Sequence, residues 1–200
     1  MNDLTPTRSL LIALADERRT MREGYAFLDE KCLLLAGEML RQVRLHQTLR
    51  RELAPLQEAA RHALSAALAR HGLHGLQVYP PAVSHQRVRI DPRPLLGVTT
   101  LQAQVIGEIG LAPPAVNPSP EAEACRMAYA LVATKLVALA AVSTTLARLY
   151  AEYRRTVRRV RALQDVLLPE LDADIADIDT RLEDIEREDA IAMRFRRNMA

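Results

Sequence analysis

The sequence predicts a mainly α-helical protein, a long antiparallel two-helix coiled coil with a small inserted head that contains a β-hairpin. Heptad-patterned segments occupy both ends of the chain, and the stretch between them holds most of the glycine and proline. The chain has no Trp and only 4% aromatic residues, which argues against a large globular core. We expect a first helix over residues 1–70, the head over 71–120 and a second helix over 121–200.

Two seams predict the first helix. Each repeats every seven residues, and together their positions alternate in steps of three and four, which places an apolar stripe along one side of the helix. The seams run through Leu11, Arg18, Tyr25, Cys32, Met39, His46 and Leu53, and through Leu14, Met21, Leu28, Leu35, Gln42, Leu49 and Leu56. Thr5 or Thr7 can cap this helix, Pro55 is expected to bend it, and Gly72 with Gly75 is expected to end it.

The head is predicted from its helix-breaking residues, since five of the seven glycines and eight of the eleven prolines lie between Gly72 and Pro120. Within it, residues 87–90 and 98–106 alternate apolar and polar side chains as short strands do. We expect these strands to pair as a hairpin, joined across residues 91–94 and Gly97. The head should form the end of the coiled coil opposite the two termini.

The second helix is expected to begin at Ser119 as cap and to continue to about Asn198. Its seam runs through Leu146, Leu149, Tyr153, Thr156, Val160, Leu163 and Leu167 and resumes through Ile175, Ile178, Leu182 and Ile185. Between Leu163 and Ile175 the apolar steps become four, four and four, which should locally relax the left-handed supercoil. Pro169 lies in this change and is interpreted as a kink in the rod, or else as a point of torsional compliance.

One part of the second helix resembles a membrane span in composition. Residues 127–147 contain a single formal charge, Lys135, and have about the length needed to cross a bilayer. A lysine near the centre of a span costs about 3 kcal/mol on insertion scales, so we favour a soluble helix covered on more than one side. The expected cover is a partner protein on a surface formed by Met127, Leu131, Leu136, Leu139 and Val142.

Charge is nearly balanced at +2, so the chain as a whole makes no strong demand for nucleic acid or anionic lipid. The cations fall in bands. If residues of the two helices pair so that their numbers sum to about 205, nine arginines form one collar: Arg41, Arg44, Arg50, Arg51, Arg154, Arg155, Arg158, Arg159 and Arg161. Such a collar is either a solvated face or a contact surface for an acidic partner.

Catalytic and metal-binding patterns are not found in the sequence. No glycine-rich loop followed by Lys-Ser or Lys-Thr is present, so the chain is not expected to bind ATP phosphates, and no cofactor is expected. His71 and His74 could ligate a metal by spacing, but they are better interpreted as a cationic helix end. Cys32 and Cys125 have no zinc-type spacing and are expected to be reduced structural thiols of a cytosolic protein.

Motifs at both ends resemble one family, the D subunits of the V-type and archaeal A-type rotary ATPases. The matching residues are Pro6-Thr7-Arg8-Ser9, Leu11, Leu14, Gly24, Leu28, Lys31 and Leu35, then Leu95-Leu96-Gly97-Val98, and then Arg158-Arg159-Val160, Ala162-Leu163, Val166-Leu167-Leu168-Pro169, Leu171, Leu182-Glu183 and Arg187-Glu188. The chain departs from the family pattern at Cys32-Leu33, where many members have Arg-Asp, and at Arg161, where they have Asn.

The resemblance implies a central rotor shaft that is itself not an enzyme. Its implied partners are the catalytic ring of A and B subunits, the F subunit, and the subunit that joins the shaft to the membrane rotor. The shaft would be cytoplasmic and peripheral to the plasma membrane. We expect ring contacts at Arg8, Arg154, Arg155, Arg158, Arg159, Arg161, Arg194, Arg196 and Arg197. Two alternatives are a coiled-coil stalk of a flagellar or type III export apparatus and a coiled-coil scaffold on a membrane surface.

Overall fold

A computed structural model describes residues 5–80, 85–107 and 115–199, with side chains up to Arg197. The first helix, α1, spans Arg8–Gln77. Thr7 caps it, since the Leu10 amide donates a hydrogen bond of 3.2 Å to Thr7 Oγ1. The helix continues through Pro55 and breaks at Gly72, whose φ of 67° lies in the left-handed region that glycine tolerates. The predicted break at Gly72 is therefore confirmed, although helical residues continue beyond it to Gln77.

The head contains a two-stranded antiparallel sheet of β1, Arg87–Leu95, and β2, Val98–Ile106. The prediction that residues 91–94 join the strands is wrong, because they belong to β1 and the turn is Leu96-Gly97. Pro92 and Pro94 fit inside a strand for a geometric reason. With Leu95 and Val98 as the closing pair, both prolines occupy non-hydrogen-bonded positions, where a backbone N–H would point away from β2.

The second helical region begins at Pro120, with Ser119 as its cap: Ser119 Oγ accepts a hydrogen bond of 3.2 Å from the Ala122 amide. It consists of α2, Pro120–Ala162, a π-helical turn over Leu163–Leu167, and α3, Leu168–Met199. We call the five residues Leu163–Leu167 the π-turn. The predicted change in periodicity thus has a structural counterpart immediately before Pro169. The parts of the predicted head at residues 81–84 and 108–114 lie outside the described residues.

The chain divides into two compact units, each containing parts of both helical regions. The terminal unit comprises Met1–Leu34 and Tyr153–Ala200, and the central unit comprises Leu35–Glu152. In the terminal unit, Leu14, Leu171 and Ile178 form a buried cluster. In the central unit, a second cluster consists of Leu53, Ala60 and Val132. All the seam positions predicted for α1 from Leu11 to Leu56 are buried or half-buried, which confirms the heptad pattern.

The register of the helix pairs differs from the expected sum of 205. In the terminal unit, the residue numbers sum to 189 for Tyr25 with Gln164 and to 190 for Arg18 with Asp172. In the central unit, they sum to 190 for His71 with Ser119 and to 187 for Glu52 with Lys135. The contact between the end of α1 and the start of α2 instead sets a sum near 190.

Candidate partner-binding surfaces

Of the five apolar residues predicted to form a partner surface on α2, three are exposed and two pack inside the central unit. Met127 and Leu131 are each 56% exposed and Leu136 is 42% exposed. Val142 is only 7% exposed, and Leu139 packs against the cluster of Leu53, Ala60 and Val132. Val142 and Leu139 therefore belong to the interior of the central unit. The heptad pattern alone does not separate the two groups, because α2 is apolar on more than one side.

A groove lies beside the exposed part of this surface, between α1 and α2 of the central unit. It encloses about 480 Å³ and is lined by Gln57, Ala60, Arg61, Tyr129, Val132, Ala133 and Leu136. Tyr129 is 41% exposed, so an aromatic ring and the Leu136 side chain are both accessible from solvent. Exposed apolar patches of this kind mark interaction sites more often than ordinary surface, and we name this groove the α2 groove.

Lys135 lies inside the stretch that resembles a membrane span and forms an ion pair with a residue of α1. Its Nζ lies 2.6 Å from Glu52 Oε2 on α1. In the described part of the chain, one helical segment, Pro120–Arg197, is long and apolar enough to cross a membrane, and 22% of its most apolar 18-residue stretch is buried. The ion pair with Glu52 thus accommodates the single charge of this stretch where α1 and α2 pack together. Because both side chains are partly exposed, the pair itself adds little stability.

The hairpin is attached to the side of α2 by two side chains, which we call the hairpin latch. Thr145 is 1% exposed, and its Oγ1 accepts a hydrogen bond of 2.9 Å from the Leu101 amide and lies 3.4 Å from the Leu101 carbonyl. Arg148 Nη1 donates to the Thr99 carbonyl at 3.0 Å. Leu101 and Thr99 occupy non-hydrogen-bonded positions of the sheet, so these groups point away from β1. The latch therefore occupies the free edge of β2.

The latch also corrects the expected position of the hairpin. Thr145 lies 25 residues after the first residue of α2, which is about 38 Å along a helix. The hairpin therefore lies beside α2 and does not form the end of the helix pair in the central unit. The sequence contained a signal for this arrangement, since Thr145 is a polar residue at a buried position of an otherwise apolar helix face.

A second polar cluster joins the end of α1 to the start of α2. His71 Nε2 lies 2.6 Å from Ser119 Oγ, and the Ser119 amide donates to the Tyr79 hydroxyl at 3.3 Å. The Arg126 guanidinium stacks over the Tyr79 ring at 5.6 Å and donates to the Pro80 carbonyl at 2.9 Å. His71 is thus part of a structural clasp. The described residues contain no group of three or more His, Cys, Asp or Glu side chains that could hold a metal ion.

The nine arginines of the expected collar are divided between the two units. Arg41, Arg44, Arg50 and Arg51 belong to the central unit, where a register sum near 190 places them level with residues 139–149. Arg158 and Arg161 belong to the terminal unit, where the same sum places them level with residues 29–32. Arg154, Arg155, Arg158, Arg159 and Arg161 are all on the second helical region, and we call these five residues the arginine band. All five are exposed.

The carboxyl-terminal turns of α3 are exposed on all sides. Every side chain from residue 183 to residue 197 is exposed, including Ile191 at 54%, Met193 at 71% and Phe195 at 68%. Arg8, near the start of α1, forms an ion pair with Glu186, so α1 begins level with that residue. The predicted contact residues Arg194, Arg196 and Arg197 therefore lie on a helix segment past the start of α1. They are interspersed with apolar side chains.

The two cysteines are separate thiols, Cys32 buried and Cys125 half-buried. Burial raises the pKa of both thiols above the ordinary value, and for Cys32 the nearby Asp29 carboxylate adds to this increase. A raised pKa leaves less of each thiol in the reactive thiolate form at a given pH.

Comparisons with known proteins give one consistent result. A family model described as the ATP synthase D subunit matches residues 10–197. The chain is 30% identical to the V-type ATP synthase D subunit of Anaeromyxobacter dehalogenans, over 97% of this chain and 95% of that protein. It is 29% identical to the V-type D subunit of Thermus thermophilus, over 97% and 87% of the two chains. It is 25% identical to the A-type ATP synthase D subunit of Methanopyrus kandleri, over 97% and 85%.

Proposed function

The chain belongs to the family of ATP synthase D subunits, and we propose that it is the central-stalk rotor subunit of a V-type ion-translocating ATPase. In this role it transmits torque between the catalytic ring of A and B subunits and the membrane rotor, without catalysing a reaction itself. It works on the cytoplasmic side of the plasma membrane as a peripheral part of the complex. The comparisons lend no support to a stalk of an export apparatus.

The pairing of two antiparallel helices in both compact units is the observation that carries this proposal. In each unit an apolar seam is buried between α1 and the second helical region, with polar and charged side chains outside it. Two helices packed along a shared seam resist twisting better than one helix, which a torque-transmitting subunit requires. The departure at Cys32-Leu33 leaves this pairing intact, because Cys32 is buried on the seam and Leu33 is exposed.

The arginine band and the exposed turns of α3 are proposed to contact the ring of A and B subunits. Solvent-exposed cations attract acidic loops over a distance of about 10 Å at 0.1 M salt, so such contacts depend on ionic strength. The apolar side chains beside Arg194 and Arg196 would add contacts that do not depend on salt. Arg8 contributes less in this view, because Glu186 already pairs with its guanidinium.

Binding to purified A and B subunits tests the role of the arginine band. The variant with Arg154, Arg155, Arg158 and Arg159 changed to Gln should bind the ring more weakly, and its affinity should fall less steeply with salt. A matched control changes Arg41, Arg44, Arg50 and Arg51 to Gln, because these four arginines lie in the other unit. Equal affinities and equal salt slopes for both variants and the wild type would show that the band is only a solvated face.

The α2 groove, with Met127 and Leu131 near it, is proposed to bind the F subunit. The exposed apolar residues there are Met127, Tyr129, Leu131 and Leu136. A Leu136→Ser variant should lose affinity for the F subunit while its own unfolding temperature stays close to that of the wild type. Coexpression with the F subunit should also raise the solubility of the chain, because covering an apolar patch removes an aggregation site. A lone chain that is soluble and monodisperse would argue against this surface.

Lys135 and Glu52 support a soluble role for the apolar stretch on α2. Placing this segment in a bilayer would separate Lys135 from its carboxylate partner at 2.6 Å and expose a charge to hydrocarbon. We therefore propose that the chain reaches the membrane only through other subunits. Flotation of the purified chain with vesicles of anionic lipid tests this, and co-migration with the vesicles would contradict it. Nucleic acid is not a proposed partner, since the formal net charge is only +2.

A further inference from the structure

The π-turn is an interruption in the second helical region of the terminal unit. Over Leu163–Leu167 the backbone widens, and the Leu168 amide donates to the Leu163 carbonyl, five residues earlier instead of four. A turn of this kind holds one residue more than an α-helical turn. It therefore absorbs a single inserted residue without changing the helix on either side.

The sequence carries one surplus residue at this place. Leu163 and Ile178 both belong to the seam, and they are 15 residues apart, where two heptads take 14. Without the π-turn, one extra residue would rotate the rest of the helix by about 100° relative to its partner. Leu171 and Ile178 are nevertheless buried against Leu14, so the register downstream is kept. The π-turn explains why the seam downstream keeps its register despite the extra residue.

Pro169 fixes the position of the π-turn. In a regular α-helix, a proline removes the hydrogen bond to the carbonyl four residues earlier, and its ring crowds that carbonyl. For Pro169 the affected carbonyl belongs to Asp165, which lies inside the π-turn. A widened turn moves the Asp165 carbonyl away from the proline ring. The surplus residue and the proline therefore act at the same point of the helix.

Few contacts hold the π-turn in place. None of its five residues is buried, and Val166 and Leu167 are 48% and 40% exposed. Tyr25 makes a long hydrogen bond to it, 3.5 Å from its hydroxyl to Gln164 Oε1. On α1 the register places Gly24 level with residue 166, and a Cβ added to Gly24 would meet nothing within 4 Å. The seam is therefore thinly packed at this level.

The helix is firmly packed on both sides of the π-turn. Before it, Thr156 is 2% exposed and Val160 is 8% exposed. After it, Leu171 belongs to the buried cluster with Leu14, and Asp172 accepts a hydrogen bond of 3.1 Å from Arg18. A twist applied to the terminal unit will therefore deform the weakly packed turn before it disrupts either neighbour.

We propose that the π-turn, with Gly24 opposite it, is the torsionally soft joint of the terminal unit. Twist is taken up there by exchange between hydrogen bonds to the fourth and the fifth preceding residue, while the seam on both sides keeps its packing. That the load is rotary torque rests on the proposed function. The softness of the joint is a property of this chain and can be measured without that assumption.

Removal of the surplus residue tests the joint. Deleting Val166 and changing Pro169→Ala should convert the π-turn into an α-helical turn and leave the downstream register unchanged. Amide hydrogen exchange over residues 163–168 should slow by about tenfold, because a weakly packed π-turn becomes regular α-helix. The unfolding temperature should stay the same or rise. The control deletes the exposed Glu17 from α1, where no surplus exists, and should unfold at a lower temperature because Leu14 rotates off the seam.

Angular fluctuations of the purified full chain measure the softness. The carboxyl-terminal end of α3 is held on a surface and a bead is fixed to the hairpin, so the π-turn lies between the two attachments and the result does not depend on rotation. The variant lacking Val166 should show a narrower distribution of bead angles than the wild type. An unchanged distribution, or a variant that unfolds as readily as the Glu17 deletion, would overturn the proposal. Failure of the wild-type complex to rotate with ATP would refute the proposed function and leave this result standing.

Discussion

Replacing Thr145 with Val should weaken the attachment of the hairpin to α2 and leave Arg148 as the remaining side chain of the latch. Valine has nearly the same shape as threonine, so the variant keeps the packing of a side chain that is 1% exposed and removes its hydroxyl. The Leu101 amide then loses its acceptor at 2.9 Å. A partly buried donor left without a partner costs about 1–3 kcal/mol. Because about 1.4 kcal/mol corresponds to a factor of ten, we expect exchange of the Leu101 amide to accelerate roughly 5- to 140-fold.

Hydrogen exchange resolved to single amides is the assay, and the chain offers two references. The Thr100 amide faces β1 within the sheet and should keep its rate, since the hairpin itself remains paired. The matched variant is Thr144→Val, which removes an exposed hydroxyl that bonds to the Ala140 carbonyl of its own helix. A Leu101 rate in Thr145→Val within twofold of the wild type would refute the latch. So would equal acceleration by Thr144→Val.

Four further predictions each follow from one local feature of the structure. Leu96→Gly should stabilise the hairpin by about 0.5–1 kcal/mol, measured by amide exchange in β1 and β2, because Leu96 has a φ of 52° and glycine tolerates that conformation. Gly107→Ala should loosen the hairpin in the same measurement, since the new Cβ would lie 2.5 Å from the His85 carbonyl oxygen. Val142→Ala should lower the free energy of unfolding by about 1–3 kcal/mol, because Val142 is interior. Leu131→Ala should change it by less than about 0.5 kcal/mol, because Leu131 is on the surface. Equal losses would contradict these assignments. Alkylation of Cys32 at pH 8 should be slower in the folded chain than in denaturant, because its raised pKa reduces the thiolate fraction at that pH.

The helices could be predicted from the sequence because their signals are local and repeated. The α1 seam from Leu11 to Leu56, the cap at Thr7 and the break at Gly72 each depend on residues a few positions apart. The four-residue steps around Pro169 also indicated a local disturbance. Their structural form, a π-turn that ends just before the proline, depends on how one surplus residue is distributed, and the pattern alone does not fix that.

The register of the helix pairs and the choice of which face of α2 is buried could not be predicted in the same way. Both depend on contacts between residues far apart in the sequence. The pairing sum near 190 is set where His71 meets Ser119, 48 residues apart, and no repeat in the sequence encodes that contact. Val142 is interior while Leu131 is exposed, although both are apolar residues of α2. Pro92 and Pro94 suggested a loop by composition. They are tolerated in β1 because the outer edge of a two-stranded sheet needs no amide donors.

The pair of Glu52 and Lys135 also bears on how the chain is made. The two residues are 83 positions apart, so at about 5–20 residues per second the carboxylate leaves the ribosome roughly 4–17 s before its partner. During that interval all of α1 has been synthesised and its apolar seam has no helix to cover it. Folding of this chain therefore depends on the state of α1 while the second helical region is still being synthesised. A ribosome-bound chaperone that shields α1 during those seconds would determine how much of the chain reaches its assembled form.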